Sequence, residues 1–130
     1  MKKSRNPEII HQPLSSYVHQ IEVSGAQRWL ILSGQVGMEQ DGGIPEDPIK
    51  QFDIALNNIH CNLQTADMEI KDIVKLTIYL VDPMGVEKRR ELLSTWLKGH
   101  EPCMTLIYVP ALASPKIKVE LDVMACTDVI

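Results

Sequence analysis

Aromatic side chains are scarce in this sequence, with one Phe, two Trp and three Tyr among 130 residues, and there is no excess of basic charge, the net charge being −4. A nucleic-acid binder needs a cationic footprint and commonly a stacking platform, so neither RNA nor DNA is an expected partner. The three cysteines, Cys61, Cys103 and Cys126, fall in no CxxC spacing, which argues against a disulfide framework or a structural zinc site and leaves buried thiols as the default. The four histidines, His11, His19, His60 and His100, share no HxH or HxxxH spacing and have no acidic cluster beside them, so neither a metal nor a cofactor is expected. No apolar run approaches membrane-spanning length, and the basic start Met1–Arg5 leads into Asn6-Pro7-Glu8 rather than an apolar segment. The expectation is a cytoplasmic protein with no membrane partner. With 45% apolar residues the chain suits one domain, 1–130, able to bury roughly two thirds of its unfolded surface.

What is present is strong periodicity. Residues 1–15 are polar, carry Pro7 and Pro13, and read as an extended arm. Ser16 to Val23 alternates, placing Tyr17, His19, Ile21 and Val23 on one strand face. A turn at Ser24–Gln27 then leads to the run Trp29–Leu32, which predicts a hairpin. Asp47-Pro48 is a helix start, and Phe52, Leu56, Ile59, Leu63 and Ala66 make one apolar stripe ending near Asp67. Ile73 to Val81 is the clearest strand, with Val74, Leu76, Ile78 and Leu80 on one face and Lys75, Thr77 and Tyr79 on the other. A second helix spans Val86 to Leu97, with Val86, Leu93, Trp96 and Leu97 inward, Glu87 to Glu91 largely outward, and Gly99 as its stop. Met104–Val109 and Ile117–Val123 then read as two strands joined by a Pro-rich turn. In the second, Val119, Leu121 and Val123 face the core, and Lys118, Glu120 and Asp122 face away.

This order predicts an α+β fold, a mixed six-stranded sheet with two helices packed on one face. Tyr17, Thr77, Tyr79 and Met104 are too apolar for the other face to stand in open water, which predicts self-association through it.

The run GHEPCMTLIYV (99–109) followed by KIKVELDVMA (116–125) resembles the closing segment of the RidA/YjgF family, the reactive-intermediate deaminases, also called the endoribonuclease L-PSP family. SSYVHQI (15–21), ILSGQVG (31–37), QFDIALNNIHCNL (51–63) and DIVKLTIYLVD (72–82) extend the resemblance over nearly the whole chain. It implies a homotrimer with a central barrel and a small-molecule cleft between neighbouring subunits. It also implies that Glu120 positions or activates the water attacking an imine carbon, that Tyr17, Ser33 and Gly34 line the cleft, and that Thr105 and Cys103 flank the family's carboxylate-clamping arginine. That arginine is replaced here by Met104, which cannot make two parallel charge-assisted bonds. Losing them should weaken binding of an imino-acid carboxylate at least roughly tenfold, so a less anionic or more apolar substrate is expected.

Each residue also has a plainer role. Glu120 could only pair with Lys118 or be repelled by Asp122, Tyr17 could be an interface aromatic, Gly34 a strand-end kink, and Cys103 a small packed side chain. Arg28, Arg89 or Arg90 could supply a replacement cation; Arg90 stands where the family often has asparagine, and otherwise belongs to a solvated helix face. The function implied is an imine or enamine deaminase with altered substrate. The alternative is a non-catalytic trimeric metabolite-binding protein, and ribonuclease action is disfavoured by the acidic charge.

Overall fold

The structure, a computed structural model, describes residues 1–129. In chain order it contains β1 (Lys2–Arg5), β2 (Gln20–Val23), β3 (Gln27–Ile31), β4 (Gln35–Val36), α1 (Pro48–Thr65), a 3-10 turn (Ile70–Asp72), β5 (Ile73–Leu80), α2 (Val86–Leu97), β6 (Cys103–Tyr108) and β7 (Val119–Asp128). Two helices pack on one face of a mixed, mostly antiparallel sheet, the α+β class that the periodicity predicts. The main sheet runs β3-β7-β5-β6 with the short β4 also on β7, so it has five strands; β1 and β2 form a separate antiparallel ribbon.

Local chemistry sets the elements. The Asp47 carboxylate accepts from the Ile49 amide at 3.0 Å and Pro48 occupies the first turn, so α1 starts where a free amide is capped and a missing one costs nothing. Asp67 takes the left-handed conformation, φ +54°, just past its end. Phe52, Leu56, Ile59 and Leu63 are buried along its stripe, joined by Ala55, and meet Leu76, Ile78, Leu80, Leu121 and Val123 from the sheet. At the far end of α2, Lys98 and Gly99 both turn left-handed, φ +51° and +84°, which stops the helix.

Three expectations about pairing and facing are corrected. β2 and β3 do not form a hairpin: β2 pairs with β1, where the Arg5 guanidinium holds Glu22 and Gln20, and β3 pairs with β7. β6 and β7 are not neighbours, because β5 lies between them. α2 carries the chain from β5 over to a parallel β6, as a strand-helix-strand crossover requires, and β7 returns on the other side of β5. Tyr17 and Met104 do not share the face of Thr77 and Tyr79. Tyr17 lies outside any strand, and Met104 pairs with Leu76, on the helix side. The uncovered face instead carries Trp29, Ile31, Ile107 and Met124, each at least 40% exposed, beside Thr77 and Tyr79.

The outward set on α2 contains a further correction. Arg89 is buried, only 5% exposed, whereas Val86 is exposed; Leu97 is buried, and Leu93 and Trp96 pack on the core as expected.

Candidate functional site

Glu120 sits on the uncovered face of β7, directly opposite Tyr79 of β5 and Val36 of β4. It is half-buried and makes no ion pair among the described residues. Its side chain lies against bare backbone: a Cβ built on Gly34 would come within 2.6 Å of the Glu120 Cδ and Oε2. Glycine is therefore required at position 34 for this carboxylate to keep its place, a stronger constraint than a strand-end kink. Ser33, just before it, is exposed, and its carbonyl accepts from the Gln35 side-chain amide at 3.0 Å. Burial first, then the negative charges of Asp122 and Glu120, push the Tyr79 phenol above its ordinary 10.0. Near neutral pH this corner holds a protonated phenol beside the carboxylates.

The ground under Glu120 is set by Gln51, which the periodicity missed. Although only 1% exposed, its amide is fully used: Nε2 donates to the carbonyls of Pro45 and Lys116 at 2.8 and 2.9 Å, and Oε1 accepts from the Lys118 amide at 2.8 Å. α1 is thereby tied to the entry of β7, two residues before Glu120. Gly37 lets this happen, since a Cβ there would lie 2.3 Å from the Gln51 Cα. The signal was available: Gln51 stands four and eight residues before Ala55 and Ile59, on the apolar stripe, where a polar side chain needs buried partners.

The second group of expected residues lies elsewhere, around a cavity of about 310 Å³ between α2 and the edge strand β6. Met104, Tyr17, Thr105 and Arg90 line it, with Ser15, Arg89 and Tyr108 at its polar places and Ile78, Leu93 and Leu106 at its apolar ones. Tyr17 is half-buried, and its hydroxyl accepts from the Leu14 amide at 3.0 Å. The amide of Val18 reaches the Pro102 carbonyl at 3.3 Å, which holds this segment across the start of β6. Thr105 accepts a hydrogen bond from Lys75 Nζ at 2.8 Å. Arg90 is exposed at the rim. Cys103, half-buried at the start of β6, pairs with Lys75 and does not line the cavity.

Arg28 is drawn away to the Ala66 and Asp67 carbonyls at 3.1 and 3.4 Å. Arg89, by contrast, enters the cavity wall, with its Nη1 donating to the Pro83 carbonyl at 2.8 Å and to the Tyr108 hydroxyl at 3.4 Å. A cation therefore lines the same cavity as Met104. Among the described residues no group of three or more His, Cys, Asp or Glu is placed to hold a metal ion, and no helix is long and apolar enough to cross a membrane.

The expected residues thus form two separate groups, Glu120 with Gly34 on the uncovered face and Met104, Tyr17, Thr105 and Arg90 at the β6 edge.

Comparison with known proteins agrees with this architecture. A RutC family protein of Aquifex aeolicus is 27% identical over 116 residues, covering 87% of this chain and 90% of that one. A RutC family protein of Pyrococcus horikoshii is 27% identical over 128 residues, covering 96% and 98%. Among solved structures, YyfB of Yersinia pestis, described as a protein of unknown function of the conserved Rid family, superposes with a TM-score of 0.82 at 26% identity, covering 97% of this chain and 98% of that one. The family model described as Endoribonuclease L-PSP matches residues 9–127, nearly the whole length of the chain. With the two helices on a mixed sheet and these relatives in agreement, the chain belongs to the endoribonuclease L-PSP family, the RidA/YjgF family.

Proposed function

We propose that this protein is a cytoplasmic hydrolase of small imines or enamines that works as a homotrimer, with each cleft formed by the β6-edge cavity of one subunit and the Glu120–Gly34 corner of the next. The observation that carries this reading is the seating of Glu120 against the Gly34 backbone without a neutralising cation among the described residues. A carboxylate held this way can order a water and take its proton as the oxygen attacks the C=N carbon. The nitrogen then leaves as ammonia and the product is a carbonyl compound, so imine plus water gives carbonyl plus ammonia. Met104, half-buried on the core, favours a substrate that places an apolar group at that end. The exposed Trp29, Ile31, Ile107 and Met124 support association through the uncovered face. Neither nucleic acid nor membrane has a part in this reading.

A second reading is a trimeric metabolite-binding protein without turnover. It is favoured by the acid-base equipment around Glu120, which includes no histidine or lysine hydrogen-bonded to it among the described residues. Ribonuclease action is the weakest reading, because a chain of net charge −4 has little with which to hold a phosphate backbone.

Ammonia release from freshly generated 2-iminobutanoate, compared between the protein and Glu120→Gln, tests the proposal. The variant should lose about a hundredfold or more in rate while keeping the elution volume of a trimer. A Glu120→Gln protein as active as the parent sinks the hydrolase reading, and saturable binding with no turnover in the parent selects the binding protein.

A further inference from the structure

Burying a guanidinium is costly unless a carboxylate accompanies it. Arg89 is 5% exposed, yet no Asp or Glu lies within ion-pair distance of it among the described residues. Among the described residues its hydrogen bonds run from Nη1, to the Pro83 carbonyl and the Tyr108 hydroxyl, and its guanidinium carbon stands 6.0 Å from the centroid of the Tyr108 ring. The remaining N–H groups are not among the sealed-off, unpartnered atoms, and Arg89 is one of the residues that line the cavity. The Tyr108 hydroxyl accepts from Arg89 and keeps its own proton to donate. The same cavity is also lined by Ile78, Leu93, Met104 and Leu106. The cavity thus combines a buried cation and a hydroxyl donor with hydrocarbon walls, within about 310 Å³. That volume is at the small end for ligand pockets, which run from roughly 300 Å³ upward.

We infer that Arg89, presented from α2, binds the carboxylate of a short-chain apolar monoanion whose hydrocarbon end lies against Met104 and Leu93. Arg89 suits this role better than its neighbour Arg90. It is desolvated, which strengthens its hydrogen bonds, and one nitrogen is already anchored, so little side-chain freedom is lost on binding. Arg90 is exposed at the rim and competes with water. The cation missing from position 104 is therefore resupplied from a helix rather than from the strand, and the substrate remains anionic while its body becomes more apolar. This rests on the cavity being the ligand end of the site proposed above, but it requires binding only, not turnover.

Isothermal titration of the full-length protein with butanoate and with its neutral isostere butanamide reads the claim directly. Butanoate should bind at least about tenfold tighter, the difference made by one charge-assisted contact. Arg89→Gln should bring the two affinities within about twofold of each other, Arg89→Lys should restore part of the gap, and Arg28→Gln, far from the cavity, should leave it unchanged. Equal affinities in the parent protein, or an undiminished preference for butanoate in Arg89→Gln, overturn the inference. Should Arg89→Gln fail to fold, the parent protein decides alone: the Arg89 Nε–Hε resonance should move on adding butanoate and stay still with butanamide, and a resonance indifferent to both overturns the assignment. Binding of butanoate through Arg89 with no ammonia release would uphold this inference while removing the hydrolase reading. Ammonia release with no carboxylate preference would do the reverse.

Discussion

The two faces of β5 and β7 obey different rules. Toward the helices, Ile73, Leu76, Ile78 and Leu80 of β5 and Val119, Leu121, Val123 and Ala125 of β7 are all buried aliphatic residues, with a bulge between Ile73 and Lys75. Toward the other side the same strands present Lys75, Thr77, Tyr79, Glu120, Asp122 and Met124, a mixture that no folding requirement of the single chain explains. The first face is dictated by the need to fill the space under α1, where burying each CH₂ is worth about 0.8 kcal/mol. The second is free of that demand, and so carries the carboxylate and the apolar residues proposed to meet another subunit. A strand that alternates between the two serves stability and chemistry at once, because neighbouring side chains point to opposite faces.

Paired truncations on β7 would break or sharpen this comparison most strongly. Leu121→Ala should cost about 2–5 kcal/mol in urea unfolding at any protein concentration. Met124→Ala, on the uncovered face, should give a smaller loss that varies with protein concentration, since its partner would be another chain. Losses that are equal and independent of concentration would erase the distinction.

Next in size is Gly34→Ala. The added Cβ meets the end of a flexible side chain, so Glu120 should swing aside rather than the fold give way. Ammonia release should fall about ten- to a hundredfold with little change in the unfolding midpoint. Full activity in this variant would remove Glu120 from the mechanism.

The smallest effect belongs to the end of β7, where Asp128 meets Gln27 and the Met1 amine. Hydrogen bonding from Gln27 first, then contact with the Met1 amine, holds Asp128 below its usual value of 3.8. A carboxylate lowered in the folded state adds stability that is complete above the unfolded value and is lost as pH falls through the folded one. Asp128→Asn should therefore flatten a slight loss of stability below about pH 4, seen in thermal melts between pH 2 and pH 5. An unchanged acid slope would show that other groups carry it.

Much of the fold was legible because its signals are local. Asp47-Pro48 marks a helix start by capping chemistry, the Phe52 to Leu63 stripe marks its buried side, and the alternations in 76–80 and 119–123 mark which residues point inward, whereas at the start of β5 a bulge puts Ile73 rather than the expected Val74 in the core cluster. The bounds of α2, Val86 to Leu97, likewise follow from its apolar spacing and the glycine beyond it. Pairing was less legible, since β2 and β3 look like a hairpin until β1, distant in sequence, takes the edge of β2. Arg89 was misplaced for a related reason: in a run of charged residues nothing local distinguishes the one that turns under Tyr108 and the Pro83 carbonyl from those in water.

The sequence by itself determined the elements, the inward residues and the family, because periodicity, caps and family segments are properties of nearby residues. Only the tertiary structure decided which strand lies beside which, that Gly34 and Glu120 occupy one corner, and that a buried Arg89 lines Met104's cavity. Those relations depend on chain crossovers and on how desolvation falls across the whole fold, and neither is encoded at any one position.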